Sequence, residues 1–264
     1  MSLNDLLIAG AAIFLLMNAS SFFAIRLQRN DIADVVWGPG FFISGLALLI
    51  FKVISDPSFQ VNTRIICVLT MVGMWALRLF FHIGVRNLRK SNEDARYVKM
   101  RKAWGNSWKL KSYTHVFMLQ GLLMLVIDLP VFIIISTPDL PFDLWSFFGI
   151  GIWLFGFIVE SLADSQLARF IKDPSNRGKI MDRGLWNWSR HPNYFGEIVQ
   201  WWGVFFLTFA LPQVGVALLS PLLISFLILK VSGVTMLEDQ MKNRPGYKEY
   251  QARTSQFILW PPKI

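Results

Sequence analysis

The sequence contains one cysteine, Cys67, and three histidines, His82, His115 and His191. A lone cysteine inside an apolar run excludes both a disulfide framework and a cysteine-ligated metal site. The histidines form no HExxH or comparable cluster, so no protein-ligated catalytic metal is expected. A GxxxxGK[ST] phosphate loop is missing as well. The paired glycines of GPGFFISG and GIGIWLFG lie inside apolar helical runs, without the strand-turn-helix setting of a dinucleotide fingerprint. Any nucleotide here must bind through a non-Rossmann site. No internal repeat, low-complexity tract or flexible linker divides the chain, and a single domain over 1–264 is the natural reading.

Charge is also scarce. Charged residues make up 16% of the 264 positions, against 54% hydrophobic and 15% aromatic. With a mean hydropathy of +0.45, the chain is too apolar for an ordinary soluble domain. Seven apolar segments, near 6–25, 32–54, 64–85, 115–136, 144–163, 193–211 and 213–230, are each long enough to cross a hydrocarbon core about 30 Å thick. The first lacks a basic n-region and a small-residue cleavage site, which marks it as a retained helix. The expected fold is all-α, a polytopic integral membrane protein built as a seven-transmembrane-helix bundle.

Loop charges give that layout an orientation, because Lys and Arg collect on the cytoplasmic side. Residues 26–31, 86–113, 164–192 and 230–264 hold 23 of the 26 Lys and Arg. The alternate loops, 55–63, 137–143 and 212–213, hold no basic residue and three acids, Asp56, Asp139 and Asp143. The N-terminus is therefore expected outside and the C-terminus in the cytoplasm. The net charge of +9 then reflects loops facing anionic membrane lipids, and nucleic acid is not an expected partner.

Ionisable groups within the apolar segments are Asp34, Arg78, His82, Asp128, Glu160 and Glu197. Such groups mark functional sites by default, although a buried ion pair or a charge snorkelling from a helix end satisfies them without function. Asp128 precedes Leu129-Pro130, where it can serve to repair a proline-broken helix. Asp34 sits in IADVVWGPGF, where Gly38-Pro39-Gly40 is expected to interrupt the helix and leave Asp34 and Trp37 lining a cavity.

The densest stretch is GLWNWSRHPNYFGEIVQWWG, Gly184 to Gly203. Pro192 suits the first helical position, since its missing N–H would have no partner there. Asn193, Glu197 and Trp201 then recur at i, i+4 and i+8 and share one face. Arg190 and His191 either contact a ligand or anchor the helix start. In the loop ADSQLARFIKDPSNRGKIMDRG, Arg169, Lys172, Arg177 and Lys179 suit phosphates, or else form a solvated, headgroup-facing surface. In the tail, Glu238 precedes Tyr247, Tyr250 and Arg253, which at i+3 steps lie along one helical face and can close a pocket from the cytoplasmic side. Composition and spacing stop at a seven-helix membrane protein with a polar, cytoplasm-facing cavity.

The stretch GLWNWSRHPNYFGEIVQWWG, with GKIMDRG before it and NRPGYKEYQARTSQFILWPP after it, resembles the C-terminal half of the steroid 5α-reductase family. ADVVWGPGF and NEDARY are similar to its bacterial members. The resemblance implies a seven-helix bundle in a bacterial inner membrane that holds NADPH in a cytoplasm-side cavity. It further implies reduction of the C=C bond of an α,β-unsaturated ketone, a 3-oxo-Δ4 steroid or similar lipid enone that enters from the bilayer. No obligate protein partner is implied. Matched residue by residue, Asp164, Lys172 and Lys179 fall at the cofactor's nucleotide part, Asn193 and Glu197 on the helix beside it, and Trp201 on the cavity wall. Asn87 falls at a polar cofactor contact after the third helix, and Glu238, Tyr247 and Tyr250 belong to the tail side of the cofactor site.

That family holds the ketone oxygen with a carboxylic acid and a tyrosine, and neither has a direct counterpart in the motifs. By position, Asp34 is the nearest candidate for the acid, and His82, Arg78 or Tyr97 for the tyrosine, with Trp37 and Arg78 beside the substrate. The chemistry needs such donors: hydride delivery to the β-carbon builds negative charge on the carbonyl oxygen, and a proton must then reach the α-carbon. Membrane methyltransferases of the isoprenylcysteine or phospholipid type share the RHPxYxG turn and an aromatic, basic tail. On that alternative, Arg190, His191 and the tail would cradle S-adenosylmethionine. A non-enzymatic transporter or lipid-binding protein would account for the bundle but not for the tail motif.

Overall fold

The computed structural model describes residues 1–88, 92–138 and 141–263. Arg89, Lys90 and Asp139, counted above among the loop charges, lie outside the described residues. The helices in chain order are α1 (Leu3–Leu27), α2 (Ile32–Ser55), α3 (Thr63–Leu88), α4 (Ala95–Trp104), α5 (Trp108–Ser112), α6 (Leu119–Ile127), α7 (Leu129–Ile135), α8 (Leu144–Lys172), α9 (Leu185–Trp188), α10 (Pro192–Phe206), α11 (Val214–Ala217), α12 (Leu219–Phe226), α13 (Val234–Met241) and α14 (Tyr247–Arg253). The chain forms two compact units, Met1–Asp143 with Ala210–Leu219, and Leu144–Phe209 with Ser220–Ile264.

In the first unit, α1 starts at a capping box in which Ser2 and Asp5 exchange side-chain-to-backbone hydrogen bonds of 3.2 and 2.7 Å, satisfying amide donors that have no partner within the helix. It ends at Gln28 in the left-handed region, φ 54°. α2 runs unbroken through Pro39, which corrects the expected interruption at Gly38-Pro39-Gly40. The glycines instead permit close packing. A Cβ on Gly38 would lie 3.1 Å from the backbone of Ala76 in α3, and one on Gly40 would lie 2.6 Å from the Met124 sulfur. The break occurs at Asp128, between α6 and α7, where Pro130 cannot donate to the preceding turn. The Asp128 carbonyl accepts from Val131 and Phe132 at 3.0 and 3.2 Å, and its fully buried carboxyl accepts from Ser44 Oγ at 2.7 Å.

In the second unit, α8 and α10 pack against each other through glycines spaced seven apart on each helix. A Cβ on Gly149 would come within 2.6 Å of the Gly203 carbonyl oxygen, and one on Gly156 within 2.6 Å of the Gly196 carbonyl oxygen. Without glycine at these four places the backbones could not approach so closely, which is how small residues join helices where water supplies no driving force. The chain then closes on itself through a parallel bridge between Ser189 and Ser255.

Six helices among the described residues are long and apolar enough to cross a membrane: Leu3–Leu27, Ile32–Ser55, Thr63–Asn87, Ala95–Ile127, Leu144–Lys172 and Val214–Met241. Large apolar side chains such as Phe14, Phe22, Leu77, Phe147, Phe155 and Phe226 are exposed along them, as suits lipid-facing helices and not a solvated surface. The protein is an integral, multi-pass membrane protein. The seventh expected segment, 193–211, is where the structure departs from the sequence reading. α10 has 15 residues, about 22 Å at 1.5 Å per residue, short of the hydrocarbon thickness. After Phe206 the backbone tightens into i→i−3 bonds at Leu207, Thr208 and Phe209, and Pro212 follows.

Candidate functional site

Three polar clusters stand out, one in the first unit and two in the second. In the first unit, Asp34 lies in the first turn of α2 and Tyr97 in the first turn of α4. The Tyr97 hydroxyl donates to Asp34 Oδ1 at 2.6 Å. The Arg96 guanidinium donates to Asp34 Oδ2 at 3.0 Å and, through Nε, to Asp94 Oδ1 at 3.0 Å. Asp94 caps α4 by accepting the Arg96 backbone N–H at 2.9 Å, so one cap holds both Arg96 and Tyr97 toward α2. Tyr97 is 6% exposed, whereas the Asp34 side chain keeps 18% of its surface open. A buried phenol and a guanidinium converging on one carboxylate make a donor pair with a fixed spacing.

The other candidates of this unit sort by helical periodicity. Trp37 and Phe41 continue the Asp34 face of α2, with Trp37 edge-on to Phe41 at 5.2 Å and Phe41 edge-on to Trp75 of α3 at 5.5 Å. Arg78 and His82 lie one and two turns beyond Trp75 on that face of α3, and both are half-buried. Asn87 is buried for a structural reason: its Nδ2 donates to the Asp31 carbonyl at 3.3 Å, and its own carbonyl accepts from Arg29 at 3.2 Å. It ties the end of α3 to the turn between α1 and α2.

In the second unit, Asn193 at the start of α10 donates through Nδ2 to Asp164 Oδ1 of α8 at 3.1 Å. Its Oδ1 is buried and has no hydrogen-bond partner among the described residues. Two turns along, Gln200 Nε2 donates to Glu160 Oε2 at 2.6 Å, and both residues are buried. Glu197 is half-buried and Trp201 is 2% exposed. The four positions Glu160, Asp164, Asn193 and Gln200 thus make a polar seam between glycine-packed helices. Lys172 and Lys179 are exposed in and after the end of α8, and no described carboxylate pairs with either ammonium.

The tail enters this unit through Glu238. Its Oε1 accepts from Arg190 Nε at 2.9 Å and from the Tyr247 hydroxyl at 2.7 Å, and it lies 2.9 Å from His191 Nε2. Its Oε2 accepts from the second Arg190 nitrogen at 2.9 Å and from Gln251 at 2.8 Å. Arg190 also donates to the Thr254 carbonyl at 2.8 Å. Burial pushes the His191 imidazole below its usual pKa, outweighing the Glu238 carboxylate, so His191 is neutral at neutral pH. Burial and Glu238 hold the Tyr247 phenol above its usual range, and Tyr250 is raised by burial with Tyr247 beside it. Tyr250 donates to the Trp186 carbonyl, and Arg253 pairs with Asp182.

Sequence reasoning therefore named Asp34, Tyr97, Asp164 and Asn193, and the fold brings them together as two pairs. It missed Arg96 and Gln251. Arg96 had a local signal, standing between the capping Asp94 and Tyr97 in NEDARY, whereas Gln251 had none. Arg190 and His191 anchor the helix start through Glu238; neither side chain caps α10.

A family profile described as "Protein of unknown function (DUF1295)" matches residues 22–254, a range that takes in Asp34, Tyr97, Asp164, Asn193, Arg190 and Glu238. The chain belongs to the DUF1295 family. Another protein that this DUF1295 chain resembles is "Uncharacterized protein C594.04c" of Schizosaccharomyces pombe, 25% identical over 222 residues, which cover 75% of this chain and 64% of the relative. The chain thus spans under two thirds of the length of that curated relative. No solved structure matches it.

Proposed function

We propose that this DUF1295 protein is an NADPH-dependent membrane reductase that saturates the C=C bond of an α,β-unsaturated ketone, with a 3-oxo-Δ4 steroid or a similar lipid enone as substrate. The observation that carries this reading is the 2.6 Å hydrogen bond between Tyr97 and Asp34. A carboxyl and a tyrosine are the pair that the resemblance to the steroid 5α-reductase family implies at the ketone oxygen.

The residues of the second unit fit an anionic dinucleotide. Lys172 and Lys179 offer exposed ammoniums for phosphates, and Asp164 with the unpaired Asn193 Oδ1 offers acceptors for ribose hydroxyls and amide donors. When bound, NADPH supplies the hydride that adds to the enone β-carbon. As that bond forms, negative charge grows on the carbonyl oxygen, where spare N–H groups of the Arg96 guanidinium can donate; the single Tyr97 proton points at Asp34 in the resting site and reaches the ketone only by turning away from that carboxylate. Asp34 holds the Tyr97 oxygen and the Arg96 guanidinium in place, 2.6 and 3.0 Å away, so both groups are positioned before the substrate arrives. One proton must also reach the α-carbon, and the exposed part of Asp34 leaves water a path to deliver it. The proposed orientation, N-terminus outside and C-terminus in the cytoplasm of a bacterial inner membrane, gives the basic 164–192 loop access to cytoplasmic NADPH.

The methyltransferase reading needs Arg190 and His191 at its cofactor, and Glu238 engages both. Purified protein in detergent distinguishes the two. NADPH should raise the thermal midpoint in proportion to its concentration over Kd, and adding a 3-oxo-Δ4 steroid should consume NADPH. Stabilisation by S-adenosylmethionine without stabilisation by NADPH would remove the reductase reading.

A further inference from the structure

We infer that a depression between the end of α1 and α4 binds the headgroup of an anionic phospholipid. The depression measures about 780 Å³ and is lined by Leu27, Arg29, Val98, Lys99, Arg101 and Lys102, among others. Its cations differ in their engagement. Arg29 is paired with Asp31 at 2.8 Å and donates to the Asn87 carbonyl; Arg101 is paired with Glu93, which also accepts the Asn30 backbone N–H at 2.6 Å. These pairs fix the wall. Lys99 and Lys102, three residues apart on one face of α4, are exposed and have no described carboxylate partner. They are left to meet an anion from outside the chain.

The surroundings specify which anion. Leu27 is 63% exposed at the end of α1, and Phe22 and Phe23 in the turn before it are 51% and 57% exposed, so an exposed apolar strip over the last turns of α1 leads to the basic depression. Arg26 stacks over Phe22 with its guanidinium carbon 4.3 Å from the ring centroid, and Arg101 lies 5.0 Å over Trp108, which sets a tryptophan and stacked arginines at the level where apolar helix gives way to charge. Acyl chains would run along Leu27 and the phenylalanines while the phosphate meets Lys99 and Lys102. A soluble phosphate would use the lysines but not the strip, and a zwitterionic lipid would use the strip with no net charge to offer.

The test uses the full chain in neutral detergent. Phosphatidylglycerol should raise the thermal midpoint increasingly with concentration, while phosphatidylcholine and inorganic phosphate at matched concentration should leave it unmoved. Each lysine near the anionic group should contribute about fivefold in apparent affinity, so Lys99→Gln/Lys102→Gln should weaken the phosphatidylglycerol response about 25-fold, and Lys99→Arg/Lys102→Arg should retain it. Should the double glutamine variant fail to fold, each single variant should lose about fivefold. An equal shift with phosphatidylcholine, a shift reproduced by inorganic phosphate, or an undiminished response in the glutamine variants would overturn the site.

Discussion

Arg190 grips Glu238 through two hydrogen bonds of 2.9 Å each, joining the turn before α10 to a helix 48 residues further along the chain. The planar fork of a guanidinium matches a carboxylate in this way. His191, Tyr247 and Gln251 complete the same carboxylate, so the tail and the helix start are held by one residue.

Glu238→Ala should therefore lower stability by about 3 kcal/mol, because it leaves Arg190 buried without its counter-charge. The Arg190 and Glu238 side chains are only 8% and 13% exposed, so solvent offers little replacement. Thermal unfolding of the purified variant in detergent measures it, and a midpoint equal to wild type would show that the hub is dispensable.

His191 gives the same cluster a pH dependence. Its pKa is held down by burial, opposed by Glu238 and assisted by the positive charge of Arg190. A lowered value means that the unfolded chain binds the proton more readily than the folded one. The stability tied to a neutral His191 is thus present above about pH 6.5, the unperturbed value, and is lost as pH falls through the folded value. The difference in thermal midpoint between wild type and His191→Gln should be flat above neutrality and shift against wild type on acidification. A difference independent of pH between 5 and 8 would count against a neutral buried imidazole.

The glycine seam of α8 and α10 can be read by methyl addition. Gly156→Ala and Gly196→Ala should each cost on the order of 1–3 kcal/mol, since the new Cβ would lie 2.6 Å from facing backbone oxygen and neither helix can yield alone. Gly151→Ala, with nothing within 4 Å of its Cβ, should be neutral or stabilising by up to about 1 kcal/mol through helix propensity. Three melting curves decide the matter, and equal midpoints for all three variants would mean that the helices separate freely.

The proposed ketone site makes the sharpest activity claim. Tyr97→Phe should reduce kcat/KM for enone-dependent NADPH oxidation about 10²- to 10³-fold, the scale expected for loss of one oxyanion donor, with little change in the midpoint shift caused by NADPH. Asp34→Asn keeps the shape but weakens the hold on both Tyr97 and Arg96, and should cost a similar factor. Unaltered kcat/KM in either variant would take that residue out of the site.

Much of this protein was legible in its sequence because hydropathy and charge act locally. Twenty or so apolar residues in a row must form a helix in lipid, as every backbone polar group has to be satisfied within the segment, and so α1, α2, α3 and α8 fall where their runs fall. Pro192 opens α10 and Pro130 breaks the chain at Asp128 for equally local reasons. Even the packing of α8 on α10 had a sequence signal, in the seven-residue spacings of Gly149 with Gly156 and of Gly196 with Gly203. Other features belong to the fold alone. That α10 ends at Phe206 depends on the tightening turn after it, not on a loss of apolar residues, and nothing in the local sequence shows that α2 passes unbroken through Pro39. Above all, Asp34 and Tyr97 are 63 residues apart and Arg190 and Glu238 are 48 apart; no periodicity links such positions, and only the packing of whole helices determines which donor reaches which carboxylate.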